Sequence, residues 1–342
     1  MRYKLLGKSG LRVSELCLGT MTFGETWGWG ASLEESREIF ERYSEAGGNF
    51  IDTSCNYTEG MAETFVGELL GSNRDSYVVA TKYTLTKTTS TDPNSGGNSR
   101  KNMMQSVEAS LRRLRTDYLD IFYLHVWDYM TPVEEVMRGL DDLVRQGKVT
   151  YIAISDTPAY IVAQANTLAE LRGWSSFVGI QVPYALNRRD IEREILPMAR
   201  HWGMAVMPWG LIGGGVLTGK YDNQENDSPK RYDPERVTIK ERTRASIDAV
   251  KAVAEETGRS RAQVAINWVR QQQQRAQIIP ILGARTPQQL EDNLGVLEWS
   301  LSDEQLQRLS DASAIEMGFP HDFIPGNPYI YGATYDQVDK RP

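Results

Sequence analysis

Residues 118–155 read YLDIFYLHVWDYMTPVEEVMRGLDDLVRQGKVTYIAIS. The two ends, YLDIFYLH (118–125) and VTYIAIS (149–155), are short apolar runs rich in β-branched and aromatic residues. Such runs suit strands buried on both faces. Between them, VEEVMRGLDDLVRQG (133–147) carries apolar residues at helical spacing and closes at Gly147. Thr131 reads as its N-cap with Pro132 at the first helical position, and a glycine is a common helix end. The unit is strand, helix, strand, and strands joined by a crossover helix run parallel.

The same unit repeats in both directions. Upstream lie ELCLGT (15–20), NFID (49–52) and YVVATK (77–82); downstream lie FVGIQ (177–181), MAVMPW (204–209) and IIPIL (278–282). Helical stretches separate them, several ending at glycines such as Gly47, Gly71 and Gly203. Eight strand-then-helix units predict an α/β fold with a parallel sheet inside a ring of helices. The count favours closure into a (β/α)8 TIM barrel over an open doubly wound sheet. The first dozen residues, with turn signals at Gly7-Lys8-Ser9-Gly10, predict an N-terminal hairpin capping the barrel floor. No composition break divides the chain, so residues 1–342 read as one barrel domain. Two polar stretches, 84–100 and 221–240, are too long for simple connectors and read as functional loops at the C-terminal face. The tail 313–342 shows no clear periodicity.

With 40% hydrophobic and 24% charged residues, the chain can bury a large core, which excludes disorder. The net charge of −7, without a basic cluster, argues against nucleic acid or an anionic membrane as partner. Two cysteines, Cys17 and Cys55, make no disulfide framework and suit a reducing compartment. The start, MRYKLLGKSG, has no apolar signal region, and no stretch nears the roughly 18 apolar residues of a membrane span. A cytoplasmic location is the expectation; homo-oligomer formation stays open.

In such a barrel the chemistry sits at the C-terminal ends of the strands. Asp52, Lys82 and His125 close the second, third and fourth strands, and Tyr57 lies five residues past Asp52. Singly, each has an ordinary reading: a helix cap, a solvated lysine, a satisfied histidine, a packing tyrosine. Together, a lysine with an aspartate partner beside a phenol is a device for lowering a tyrosine pKa, so that it can serve as general acid or base. Ser155 and Asp156 follow the fifth strand, Gln181 ends the sixth and Tyr184 lies just beyond; these suit an amide-bearing aromatic ligand. PWGLIGGGVLTGK (208–220) follows the seventh, and its glycines let backbone amides approach a phosphate. Its spacing is neither GxGxxG nor GxxxxGK[ST]. LGARTPQQLEDN (282–293) begins a helix after the eighth strand, with Arg285 near the positive end, a phosphate site in physical terms. His125, His201 and His321 show no ligand spacing, so no metal is expected.

These motifs carry a resemblance. GNFIDTSCNYTEGMAETFVGELL, VVATK, LRRLRTDYLDIFYLH, GKVTYIAIS, PWGLIGGGVLTGK and GARTPQQLEDNLG resemble the aldo-keto reductase superfamily over nearly the whole chain. In style they are similar to bacterial long-chain members, which include potassium-channel β-subunits and aryl-alcohol or sugar reductases. The resemblance implies a catalytic tetrad of Asp52, Tyr57, Lys82 and His125. It implies hydride exchange between a nicotinamide cofactor and a small-molecule carbonyl or alcohol, with Tyr57 as proton donor. The cofactor implied is NADPH/NADP+, with NADH as an alternative. Ser155 and Gln181 would hold the carboxamide, and Tyr184 would stack on the nicotinamide. Trp209, Gly210, Leu211, Gly213, Gly215 and Lys220 would line the pyrophosphate side. Gly283, Arg285, Gln289, Asp292 and Asn293 would line the adenosine end, with Gln289 where many members carry a second arginine. Gly19, Thr20 and Met21 would add contacts beside Asp52.

Asp156 stands where the family usually has asparagine. It reads either as an acceptor for the carboxamide amine or as the N-cap of a helix beginning near Pro158. Trp27, Trp29, Tyr83, Trp127 and Phe319, from loops above the strands, are the candidates for an aromatic-lined substrate pocket. Two rival functions compete with this reading. A cofactor-sensing regulatory subunit with slow reductase chemistry is compatible with the same tetrad. A hydrolase using Glu134 and Glu135 is not supported, because adjacent residues on a helix do not face one another.

Overall fold

The computed structural model describes residues 1–87, 89–221, 241–325 and 327–339; apart from Tyr221, the long loop expected at 221–240 lies outside the described residues. The chain opens with an antiparallel hairpin, β1 (Tyr3–Leu5) and β2 (Arg12–Ser14). It closes the barrel floor. Gly7 N donates to Gln277 Oε1 at 2.8 Å and Lys4 Nζ to Ile278 O at 2.9 Å. Gly7 has φ +57°, and a Cβ there would stand 2.2 Å from Val178 O, so only glycine lets the hairpin lie this close.

Seven strands then pair in parallel, each with the next: β3 (Cys17–Gly19), β4 (Phe50–Asp52), β5 (Val78–Tyr83), β6 (Leu119–Leu124), β7 (Val149–Ser155), β8 (Gly179–Pro183) and β9 (Ala205–Trp209). The expected eighth strand is split. Its first half, β10 (Gln277–Ile278), pairs with β9, and its second half, β11 (Ile281–Gly283), pairs with β3. Pro280, which has no N–H for a ladder, sits between the halves, and its carbonyl accepts from Cys17 N at 2.9 Å. The two halves close the ring, giving the (β/α)8 barrel.

Strand periodicity separates two layers. Phe50, Val78, Ala80, Ile121, Tyr123, Ala153, Ala205 and Met207 pack inside the barrel. Ile51, Val79, Phe122, Leu124, Ile152, Ile154 and Val206 pack outward against the helices. Asp52, Lys82, His125, Ser155 and Gln181 each lie two residues beyond an inward-facing position. They therefore share the interior face, one layer above an apolar plug.

One helix start differs from expectation. The helix α1 (Val133–Arg145) has Pro132, not Thr131, at its cap position, with no side-chain cap bond. Thr131 is drawn into a turn built on Asp128, whose carboxylate accepts from Met130 N, Thr131 N and Thr131 Oγ1 at 2.8–2.9 Å. No helix among the described residues is long and apolar enough to cross a membrane.

Candidate active site

Lys82 is fully buried, and its ammonium spends all three N–H donors. They reach Asp52 Oδ2 at 2.7 Å, Thr53 O at 2.8 Å and Tyr57 Oη at 3.2 Å. The charge also lies 4.8 Å from the Tyr57 ring centre and 5.7 Å from that of Tyr123, its register partner on β6. The other Asp52 oxygen accepts from Gln181 Nε2 at 2.8 Å, which ties β4 to β8 across the barrel. A buried ion pair is tolerated when its remaining hydrogen bonds are made in this way.

Tyr57 is placed over this pair by a turn in which Thr58, Glu59 and Gly60 all take left-handed φ (45°, 59° and 94°). For residues with a Cβ that conformation costs roughly 1–2 kcal/mol each. Thr58 offsets part of this: its hydroxyl donates to Phe23 O at 2.6 Å and accepts from Ala62 N at 3.0 Å. The following helix, α2 (Met61–Leu70), is pinned through buried Glu63, which takes Thr81 Oγ1 at 2.5 Å and Arg113 Nε at 2.6 Å.

The electrostatics correct one expectation. Burial pushes the Tyr57 pKa above its ordinary value, and the nearby Lys82 charge only opposes that rise. The phenol therefore holds its proton, because desolvation outweighs the lysine. For Lys82, burial favours the neutral form, but Asp52 and Tyr57 prevail and raise its pKa. Burial, reinforced by Lys82, holds His125 well below its ordinary value, so its imidazole is neutral. Its ring stands edge-on to Tyr57, centres 6.0 Å apart, with Nδ1 3.2 Å from Ser54 Oγ.

Around this cluster the candidates for cofactor contact divide. Ser155 is buried with no hydrogen-bond partner for its hydroxyl. Gln181 commits its amide nitrogen to Asp52. Asp156 does not cap a helix: α3 (Ala159–Arg172) starts with Pro158 at its cap position. Burial instead pushes the Asp156 carboxyl up to about 6, against a hydrogen bond from Trp209 and the charges of Arg188 and Lys82. Tyr184 does not face the cleft. It is fully buried, with its ring centre 5.3 Å from that of Trp268 and its hydroxyl donating to Glu192 Oε1 at 2.6 Å. The buried Glu192 carboxylate draws it inward, away from any stacking position.

A cavity of about 650 Å³ lies between the loops after β9 and β11. Gly210, Leu211, Gly215, Lys220, Gly283, Arg285, Gln289, Asp292 and Asn293 line it, as does Trp29. At Gly210 and Gly283 no atom lies within 4 Å of where a Cβ would stand, so packing does not demand glycine there; the cavity fills that space. Gly213 is outside the lining, and a Cβ on it would meet the Asn187 side chain at 2.7 Å. Gly19 and Thr20 are support rather than wall. Gly19 makes room for Ile281 at the closing seam, and Thr20 Oγ1 donates to Asp52 O at 3.0 Å. Met21 is half-buried beside them. Ala262 and Ile266, one turn apart on α4 (Arg261–Arg270), line the cavity but were missed, since apolar helix positions read as core.

The expected substrate pocket is also redrawn. Tyr83 is fully buried on the outer face of β5, stacked on Phe122, because Lys82 beside it points inward. Trp127 is buried in the layer between barrel and helices. Phe319 is 81% exposed on the tail, packed against Phe323. Trp29 belongs to the elongated cavity, with Trp27 tilted against it at 5.7 Å between ring centres.

A (β/α)8 barrel with a buried lysine, aspartate and histidine and a half-buried tyrosine at its mouth, next to a glycine-lined cleft, describes a class of enzyme. Residues 15–314 match the model of the Aldo/keto reductase family, and the chain belongs to that family. It is 39% identical over 329 residues to norsolorinic acid reductase stcV of Emericella nidulans, covering 94% of this chain and 83% of that one. It is 40% identical over 333 residues to an aryl-alcohol dehydrogenase (NADP(+)) of Phanerodontia chrysosporium, covering 91% and 86%. A putative aryl-alcohol dehydrogenase of Saccharomyces cerevisiae, AAD14, shares 37% over 344 residues, covering 96% and 91%.

Proposed function

We propose that this chain interconverts aldehydes or ketones and alcohols with NADPH/NADP+, favouring aromatic substrates. When bound, the cofactor supplies or accepts the hydride. The observation that carries this reading is the donor pattern at Lys82. Because Tyr57 Oη accepts from Lys82 Nζ, the phenol's own proton is free to point into the mouth. Tyr57 hands that proton to the carbonyl oxygen, and Lys82 stabilises the phenolate left behind. Asp52 balances the lysine charge, and Gln181 holds Asp52. Neutral His125 flanks the same oxygen and orients it without adding charge.

The residues present fit the cofactor. Ser155 has an unused hydroxyl for an amide, Gly210 and Gly283 leave room for a close approach, and Lys220 and Arg285 bring positive charge to the far end. Trp27 and Trp29 are aromatic surface at the rim, in keeping with the aryl substrates named for two relatives. Replacing Tyr57 with Phe keeps the ring and removes the proton. Oxidation of NADPH by an aryl aldehyde should slow by roughly 10²–10⁴-fold, the usual contribution of a general acid, while NADPH still quenches tryptophan fluorescence. Near-normal turnover in that variant would remove Tyr57 from the mechanism. Turnover below about 0.01 s⁻¹ for every carbonyl tried, against an enzyme median near 10 s⁻¹, would favour a cofactor sensor instead.

A further inference from the structure

Asp156 places a carboxyl at the barrel mouth that the proposed chemistry leaves unused. It directly follows Ser155, whose inward hydroxyl is buried without a partner. Its own amide is held by Gln181 O at 3.2 Å, and its φ is +39°, so the chain leaves the strand line at this residue. Trp209 and Arg188 work against the rise in its pKa, and Arg188 lies 5.7 Å over the Trp209 ring. Its charge acts through space on both Tyr57 and Lys82. It caps no helix.

We propose that Asp156 discriminates between the two redox forms of the cofactor: ionised, it strengthens binding of the oxidised, cationic nicotinamide over the reduced, neutral one. This rests on the reading that the cleft takes NADP(H). A carbonyl carbon that exchanges hydride must touch the nicotinamide while its oxygen touches Tyr57. A carboxylate that acts on the Tyr57 hydroxyl therefore acts on that ring as well. The two forms of the cofactor carry the same phosphates and differ by one positive charge on the ring. The ratio of their dissociation constants thus isolates the interactions with the ring's charge, and its change on Asp156→Asn isolates the carboxylate's share. Two opposite charges several ångströms apart, part-way into a protein surface, change such a ratio on the order of tenfold.

The pH sign follows from the environment. Burial raises the Asp156 carboxyl to about 6, so its charge is present above that pH and lost below it. The groups facing it differ in what they add. Arg188, from the segment after β8, and Lys82 on β5 are cationic; Trp209 on β9 and Gln181 on β8 do not titrate. Tyr57 keeps its proton and His125 is held neutral, so neither changes charge between pH 5 and 8. Preference for the oxidised form should rise with pH through this window.

The test is binding, not turnover. Dissociation constants for NADP+ and NADPH are measured by tryptophan quenching at pH 5 and pH 8, for the wild-type chain and for Asp156→Asn and Asp156→Glu. Asparagine tolerates the left-handed backbone, so the first variant should fold. In the wild type the ratio Kd(NADP+)/Kd(NADPH) should fall about tenfold from pH 5 to pH 8. In Asp156→Asn it should stay at the acid value, and in Asp156→Glu the pH dependence should persist. An identical ratio and pH dependence in wild type and Asp156→Asn would overturn the inference while leaving the function intact. Failure of the wild type to bind either cofactor would overturn both.

Discussion

Arg285 and Tyr184 sit on opposite sides of one distinction, between residues that face the cleft and residues that only stand near it. Arg285 lines the cavity close to the start of the helix that follows β11, where the peptide dipoles also favour an anion. If it holds the 2′-phosphate, Arg285→Ala should raise the Kd for NADPH about tenfold or more, the value of one charge-assisted hydrogen bond of roughly 1.5–3 kcal/mol. Binding of NADH, which lacks that phosphate, should hardly change; equal losses would put Arg285 in another role. Tyr184 offers the opposite case. Its hydroxyl serves buried Glu192, which Arg189 Nε also holds at 2.7 Å. Tyr184→Phe should cost about 1 kcal/mol of stability and leave both cofactor affinities unchanged. A weaker affinity at unchanged melting temperature would restore Tyr184 to the cleft. Sequence could not separate the two, because a tyrosine just past a strand end reads the same whether it turns up to a ligand or down to a carboxylate three-dimensionally close by. Asp52, Lys82 and His125 were legible because strand periodicity carries each to the interior face.

At the scale of elements, glycines mark where strands meet and where a cleft opens, and the two uses respond differently to one methyl group. Gly19 lies on β3 at the closing seam, where a Cβ would stand 2.7 Å from Ile281 Cγ2. Gly283, on the partner strand β11, would place its Cβ in the open cavity. Gly19→Ala should therefore overpack the seam and lower stability by about 1–3 kcal/mol. Gly283→Ala should unfold at nearly the wild-type denaturant concentration but bind NADPH more weakly. Denaturant melts and fluorescence titrations of the pair would refute this division if the two variants behaved alike. The eight strands and most helices were readable from periodicity, because each is a local pattern. The split of the last strand was not. IIPIL reads as one run, and only the ring's geometry assigns its first half to β9 and its second to β3. Tyr83 was misassigned for the converse reason: it follows Lys82 on the same strand, so one inward neighbour commits it outward.

For the molecule as a whole, part of the acid sensitivity should come from carboxylates held by hydrogen bonds at loop anchors. Burial alone would raise the pKa of Asp128, but amides of Asn98, Thr131 and Met130 outweigh it and hold the group below its ordinary value. Asp141 behaves likewise, with burial opposed by Ser175 and Arg145. A carboxyl depressed in the folded state adds stability at pH values above its unfolded pKa, and that contribution drains away as pH falls through the folded one. The part of the melting temperature that Asp128 and Asp141 supply should thus be lost as pH falls below about 4. In Asp128→Asn the acid decline should be shallower, from a lower starting point; an unchanged profile would clear Asp128 of the role. Ring closure carries a consequence for synthesis. The hairpin is made long before Gln277 and Ile278, on which it is anchored, and β3 has no partner on one side until Ile281–Gly283 emerge. A nascent chain that ends short of those residues is an open sheet with two bare edges, the form most prone to pairing with a neighbour. Emergence of Gln277–Gly283 is thus the moment at which this protein stops being a hazard on the polysome and becomes a closed vessel.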